Sequence, residues 1–280
     1  MYRLIDGKKL ADEIIAEVRA QIIEKKLEPH LAIILVGTDP ASELYVKLKS
    51  QAAKKAGIEL HLYRIDEDAS EQSILETIAF LNTDQEIDAI LIQLPLPKKF
   101  DQQKILDALD YRKDVDGFHK KNIASFLAGK PQHILPGLSF GIWKLIESTG
   151  PEHYKHKSAL VISKSDEFSL PLMELLRQKG LTATTVKPSD ARLIELSQKA
   201  DILISAVGIP KSITRDMVKD GAILIDVGIN KIKGKTVGDV DFANVAPKTS
   251  FITPVPGGVG PMTVAMLLYN TLRLAAERKK

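Results

Sequence analysis

The sequence predicts an α/β protein of two domains built on parallel sheets covered by helices on both faces. Three observations lead there. The chain has 280 residues, and a typical domain takes about 150. Short apolar runs alternate with amphipathic segments along its length, the pattern of strand–helix–strand crossovers. The apolar runs are continuous rather than alternating, as strands buried on both faces require.

Taken in order, Asp6 caps a helix whose apolar positions Leu10, Ile14, Val18 and Ile22 recur every four residues. A buried strand at 31–36 follows, then a helix from Pro40 that stops at Gly57. A strand at 58–65, a helix at 70–81 and a strand at 89–93 repeat the pattern. The second half gives strands at 159–163, 183–186, 202–207 and 222–227. Helices are expected between them at 172–179 and 191–199, with a shorter one near Arg215. Residues 232–240 read as a small hairpin about Gly234. The last helix, 262–278, follows a loop of three prolines and three glycines and is expected to return to the first domain. Gly129, Pro131 and Pro136 mark the boundary region. The predicted domains are 1–125 with 262–280, and 126–261. Ligands of such folds bind in clefts at the carboxyl ends of strands.

Composition excludes several functions. The 39 basic and 36 acidic side chains leave a net charge of +3, spread along the chain, so neither nucleic acid nor an anionic membrane is an expected partner. With no cysteine there is no disulfide framework, thiolate zinc site or cysteine nucleophile. No segment approaches the ~18 apolar residues that span a bilayer. Arg3, Asp6, Lys8 and Lys9 precede the first apolar face, so no signal-peptide core is expected and the chain reads as soluble and intracellular. Walker A and G-x-G-x-x-G motifs are both absent. The six histidines lack metal-ligand spacing and read as surface or loop residues; no metal is expected.

The residues that carry chemistry lie at helix faces and strand ends. Tyr45 and Lys49, at i and i+4, put a phenol and an ammonium on one helix face. A lysine leaning over the small Ala52 and Ala53 is partly desolvated, which lowers its pKa. A solvated face is the plainer alternative for that pair. Gln93 ends a buried strand immediately before Leu94-Pro95-Leu96-Pro97. Asp114 and Asp116 flank Val115, and two acids at that spacing suit a metal, a turn or a basic heterocycle alike. The stretch 253–261 exposes backbone amides at the start of a helix, a geometry for a flat or anionic ligand.

Together these segments resemble the bifunctional methylenetetrahydrofolate dehydrogenase/methenyltetrahydrofolate cyclohydrolase family, FolD. The matching text is Tyr45-Val46-Lys47-Leu48-Lys49, Ile92-Gln93-Leu94-Pro95-Leu96-Pro97, Lys113-Asp114-Val115-Asp116-Gly117-Phe118-His119 and Pro256 to Thr263. Asp226-Val227-Gly228-Ile229-Asn230 and Gly238-Asp239-Val240-Asp241 match as well. The resemblance runs from residue 1 to about 275. It implies an N-terminal three-layer α/β domain joined to a Rossmann-type domain. It implies oxidation of 5,10-methylenetetrahydrofolate with NADP, then hydrolysis of the methenyl product to 10-formyltetrahydrofolate. Lys49 matches the catalytic lysine, Gln93 its hydrogen-bonding partner and Tyr45 a residue that positions it. Asp116 matches the acid that grips the pterin, and the loop of Pro256, Gly257, Gly258, Val259 and Gly260 closes over the folate. Cofactor contacts are implied at Ser163, Lys164, Ser165, Ser189 and Ile229. A cytoplasmic homodimer is implied too.

The cofactor loop departs from the family pattern. Where the family has G-R-S-x-x-V-G-x-P, this chain reads Ser163-Lys164-Ser165-Asp166-Glu167-Phe168-Ser169-Leu170-Pro171. Both glycines are gone, and Asp166 and Glu167 bring negative charge toward a phosphate site. At ~5 Å each like-charge contact costs about 1 to 3 kcal/mol. A second departure is Pro136-Gly137-Leu138-Ser139-Phe140-Gly141, where the family has P-C-T-P-x-G. These losses predict relaxed nucleotide binding. A cyclohydrolase without NADP and a non-catalytic folate binder are the alternatives, and Lys49, Gln93 and Asp116 argue against the binder.

Overall fold

The computed structural model describes residues 1–130, 134 and 136–278; Pro131 and His133 of the sequence reading lie outside the described residues. In chain order the elements are β1 (Arg3–Leu4), α1 (Gly7–Glu24), β2 (His30–Val36), α2 (Pro40–Ala56), β3 (Glu59–Ile65), α3 (Glu71–Thr83) and β4 (Ala89–Ile92). Then come α4 (Gln102–Asp107), α5 (Lys120–Leu127), α6 (Gly137–Glu147), α7 (Pro151–Tyr154), β5 (Ser158–Ser163), α8 (Asp166–Gln178) and β6 (Thr182–Val186). The chain continues through α9 (Leu193–Lys199), β7 (Ile202–Ala206), β8 (Ile223–Asp226), β9 (Asn230–Ile232) and β10 (Lys235–Val237). It closes with α10 (Phe242–Val245), β11 (Phe251–Ile252) and α11 (Val259–Arg278).

Two compact units emerge. One comprises Asp12–Gly137 and the chain from Val264 onward; the other comprises Met1–Ala11 and Leu138–Thr263.

The first unit is built on a parallel sheet of order β3-β2-β4. Residues 31–36 of β2 are all buried, which is why that strand reads as an unbroken apolar run. Ile34, Ile74, Ile78, Leu81 and Ile90 form the core between sheet and helices. α2 starts where Asp39 accepts the Ser42 N–H at 2.8 Å and stops at Gly57, whose φ of +80° suits glycine. The returning C-terminal helix is found as expected: Asn270 Nδ2 donates to the Val115 carbonyl at 2.8 Å, and Arg278 Nε pairs with buried Asp88 at 2.8 Å.

The second unit carries six parallel strands in the order β1-β11-β8-β7-β5-β6, with β9 and β10 as a separate antiparallel hairpin. From β5 the chain crosses through α8 to β6, then returns to the opposite flank of β5 as β7. The crevice between the ends of β5 and β7 is therefore a topological switch point, where such sheets bind ligands. β1 pairs with β11 through two rungs, so the first residues belong to this sheet.

Two helices differ from expectation. α8 begins at Asp166, not 172, because Ser165 accepts the Phe168 N–H at 3.2 Å and caps it. Pro171 is accommodated within its second turn, where it forgoes one backbone bond. α11 begins at Val259, three residues before the periodic stretch, because the glycine-rich loop itself supplies the first turn. The strands β1 and β11, two residues each, are too short to leave a periodic signal.

Candidate active site

α2 places Tyr45 and Lys49 one turn apart, and β4 ends at Ile92, so that Gln93 enters the loop at the carboxyl edge of the sheet. The Gln93 backbone N–H still donates to Ile34 at 2.9 Å, which fixes the side chain's origin. Its buried Oε1 accepts from Lys49 Nζ at 2.8 Å, while its Nε2 donates to the Leu94 carbonyl at 2.7 Å. Both ends of the amide are thus committed, and Lys49 has a fixed acceptor. Tyr45 is half-buried on the same helix face.

Asp116 arrives by a different route. Ile90 of β4 forms a parallel bridge with Asp114, which carries the following residues along the sheet edge. The buried Asp114 carboxylate accepts from the Gly117 N–H at 3.2 Å, the His119 N–H at 2.7 Å and Asn122 Nδ2 at 3.0 Å. Of the three readings of the acid pair, Asp114 takes the turn. Asp116 takes no part in those three bonds, and among the described residues no cluster of histidine or carboxylate ligands suits a metal. His119 departs from the surface reading of the histidines: it is buried, and its Nδ1 accepts the Lys121 N–H at 3.1 Å to cap α5.

Desolvation dominates the electrostatics here. It lowers the Lys49 pKa from the ordinary lysine value, with Asp116 opposing. It pushes Asp116 up to about 6, with Lys49 opposing and Asp114 adding repulsion. Both shifts favour the neutral forms of the two groups.

In the second unit the loop before α11 is shaped by close backbone contacts. Gly257 has φ +108°, and its carbonyl accepts the Lys8 N–H at 3.1 Å. A Cβ on Gly258 would lie 2.6 Å from the Pro254 carbonyl and 2.7 Å from Thr253 Cβ. Val259 is buried, and Gly260 has open space where a Cβ would be. Pro256 precedes this turn.

The five expected cofactor residues all fall at the carboxyl edge of the second sheet. Ser163 ends β5 and accepts the Ser165 N–H at 3.0 Å; Lys164 follows it; Ser165 caps α8. Ser189 lies in the turn after β6, and Ile229 is exposed between β8 and β9. Half of the charge expected to repel phosphate is compensated. Asp166 forms an ion pair with Lys187, whose ammonium also donates to the Lys164 carbonyl at 3.0 Å, and Glu167 accepts from Ser165 Oγ at 2.7 Å. Both acids sit in the first turn of α8, where the helix dipole favours them. The sequence reading missed Lys187, because its partner lies 21 residues away with a whole helix between them.

One unit holds a lysine bonded to a glutamine beside a desolvated acid and the other a parallel sheet with a switch point, the architecture of a two-domain α/β enzyme. Two family profiles match: the tetrahydrofolate dehydrogenase/cyclohydrolase catalytic domain over residues 5–116 and its NAD(P)-binding domain over 136–279. The chain belongs to the tetrahydrofolate dehydrogenase/cyclohydrolase family. It is 45% identical to the bifunctional protein FolD of a Nitratiruptor species, over 99% of each chain. The crystal structure of the Campylobacter jejuni bifunctional enzyme FolD superposes with a TM-score of 0.94 at 39% identity, covering 99% of this chain and all of that one. The Trypanosoma brucei dehydrogenase-cyclohydrolase, complexed with NADP cofactor and inhibitor, gives 0.93 at 29% identity, over 100% of this chain and 99% of that one.

Proposed function

We propose that the chain catalyses both reactions of its family, oxidising 5,10-methylenetetrahydrofolate with NADP and hydrolysing the methenyl product to 10-formyltetrahydrofolate. The observation that carries the reading is the 2.8 Å bond from a desolvated Lys49 to a buried Gln93. Simple binding of a folate would not call for a lysine held in this way.

Hydrolysis adds water to the amidinium carbon and breaks the bond to one ring nitrogen. Of the two water protons, one goes to that nitrogen and one to solvent. Lys49 in its neutral form takes the first proton from the attacking water, and as the ammonium it delivers a proton to the departing nitrogen. Gln93 holds Nζ in place through the exchange, since its oxygen accepts a hydrogen bond from either form. Tyr45 borders the same face and positions the lysine and the substrate. Asp116, whose ionised form the N–H donors of the pterin favour, accepts from the ring N–H and the exocyclic amine. Pro256, Gly257, Gly258, Val259 and Gly260 are assigned to folate binding by the family resemblance alone.

NADP supplies the hydride acceptor for the first reaction. The carboxyl edge of the second sheet suits it: α8 presents its N-terminal amides beside Ser163, Lys164 and Ser165, and Lys187 neutralises Asp166. Ser189 and Ile229 line the same edge. Folate chemistry is assigned to the unit that the sequence draws as 1–125 with 262–280, although Met1–Ala11 join the other unit and 126–137 join this one, and nucleotide binding is assigned to the unit drawn as 126–261. A cytoplasmic homodimer follows from the family resemblance, and a solution mass of twice the chain would support the dimer. No described helix is long and apolar enough to cross a membrane.

The test is calorimetric titration of NADP and NAD, with and without a folate analogue, alongside hydrolysis of methenyltetrahydrofolate. Micromolar NADP binding with hydrolysis supports both activities. Hydrolysis without binding of either nucleotide would reduce the chain to a cyclohydrolase, the reading that the two lost glycines favour.

A further inference from the structure

Two buried carboxylates in the second unit take no part in the chemistry above. Asp239 is fully buried and Asp226 nearly so, and no ion pair among the described residues includes either one. They are satisfied by backbone and neutral donors instead. Asp239 Oδ2 accepts from Ser205 Oγ at 3.0 Å, the Val207 N–H at 2.7 Å and the Gly208 N–H at 3.2 Å. Its Oδ1 accepts from the Ile209 N–H at 3.0 Å and Asn230 Nδ2 at 3.1 Å. Asp226 in turn accepts from the N–H groups of Gly228, Asp239 and Val240, each at 3.0 Å. The two acids interlock through glycines: a Cβ on Gly228 would overlap the Asp239 carboxylate, and one on Gly238 would overlap that of Asp226.

The place of this clasp gives it a purpose. β7 pairs with β5 with Ala206 opposite Ser163, so the loop that Asp239 gathers, 207–209, leaves the sheet next to the Ser163-Lys164-Ser165 loop. These two loops are the walls of the switch-point crevice. On the same edge Ile229 stands exposed, yet the residues on either side of it are tied down, Gly228 to Asp226 and Asn230 to Asp239. Burying two carboxylates without a cation is costly. A helix or turn could be closed with far cheaper groups, so the arrangement serves precision at this edge.

We propose that Asp239, seated on Asp226, is a positioning residue for the dinucleotide: it fixes the 207–209 wall and the outward pose of Ile229 so that the crevice is formed before the nucleotide arrives. The inference rests on the NADP-dependent reading above. Rigid walls lower the ordering cost of binding, so loosening them weakens nucleotide affinity while leaving the lysine-based hydrolysis untouched.

The test uses Asp239→Asn, which keeps the volume but turns one acceptor into an N–H₂ facing donors, and Asn230→Ala, which removes a single donor and leaves both carboxylates in place. NADP affinity is read by titration, and dehydrogenase kcat and KM and methenyltetrahydrofolate hydrolysis are measured on the same samples. For Asp239→Asn the expected result is a rise of about tenfold in Kd and KM for NADP, with kcat within about threefold and hydrolysis unchanged. Asn230→Ala, which tests the clasp even if Asp239→Asn fails to fold, is expected to raise the NADP Kd about threefold. Unchanged NADP affinity in Asn230→Ala and in folded Asp239→Asn, with a wild-type protein that binds NADP, overturns this inference alone. Parallel loss of hydrolysis and NADP binding in a folded variant overturns it in favour of a general structural role. A wild-type protein that binds no NADP refutes the dehydrogenase reading and the inference together.

Discussion

Replacing Lys49 with methionine isolates the group on which the proposed hydrolysis depends. The substitution keeps the length of the side chain and removes the ammonium. Gln93 Oε1 then loses the donor that now sits 2.8 Å away, and a buried acceptor left unpaired costs about 1 to 3 kcal/mol. Against this, a partly desolvated charge disappears, which offsets part of that cost. The folded state should therefore survive with a small change in Tm. The reaction should not. Loss of a positioned general acid–base group lowers kcat by about 10² to 10⁴-fold, whereas folate affinity should stay within about threefold because the proposed pterin contacts are those of Asp116. The assay is the disappearance of methenyltetrahydrofolate absorbance at saturating substrate, with folate-analogue binding measured in parallel. Lys49→Arg divides the role further, since a guanidinium keeps the charge but does not release its proton. Hydrolysis within about tenfold of wild type in Lys49→Met would refute the relay. Full activity in Lys49→Arg would assign the lysine a purely electrostatic part.

Asp116→Ala should weaken folate-analogue binding by about 1 to 3 kcal/mol, read by titration, since a charged hydrogen-bonding partner is lost. Because burial raises Asp116 to about 6, folate affinity should climb as the pH rises through that value and then level off, and Asp116→Asn should flatten the profile. The same raised value means that the protonated carboxyl favours the folded state below the unfolded value of about 3.9 and that this contribution is lost as the pH rises through about 6, which thermal melts of wild type and Asp116→Asn would show. Lys187→Met leaves Asp166 uncompensated beside the cofactor loop; NADP binding should weaken by up to about fivefold, and added salt should shrink the difference. Ser165→Ala removes the cap of α8 and should cost about 0.5 to 2 kcal/mol in a denaturant melt.

The elements legible in the sequence were those with a long, repetitive signal. Strand β2, helix α2 with its start at Pro40 and its Gly57 stop, and the hairpin about Gly234 all lie close to where periodicity and turn chemistry put them. The misreading of α8 has a local cause: Pro171 and the run of polar residues before it look like a loop, and only the Ser165 cap converts them into helix. Asp114 shows the same limit at the site. Its spacing from Asp116 admitted three roles, and the choice among them depended on where the N–H groups of Gly117 and His119 came to lie.

By itself the sequence determined the α/β class, the strand–helix alternation and the identity of Tyr45, Lys49, Gln93 and Asp116 as the residues to watch. Those follow from local propensity, apolar period and motif resemblance, all of which are written along the chain. Tertiary structure decided which of these groups meet. Lys49 and Gln93 are 44 residues apart and touch at 2.8 Å only because α2 and β4 pack on the same parallel sheet. Lys187 reaches Asp166, and Asp239 gathers three successive amides 30 to 32 residues before it, for the same reason. Charge compensation and desolvation depend on distance in space, and distance in space is set by the packing of sheets and helices rather than by neighbours in sequence.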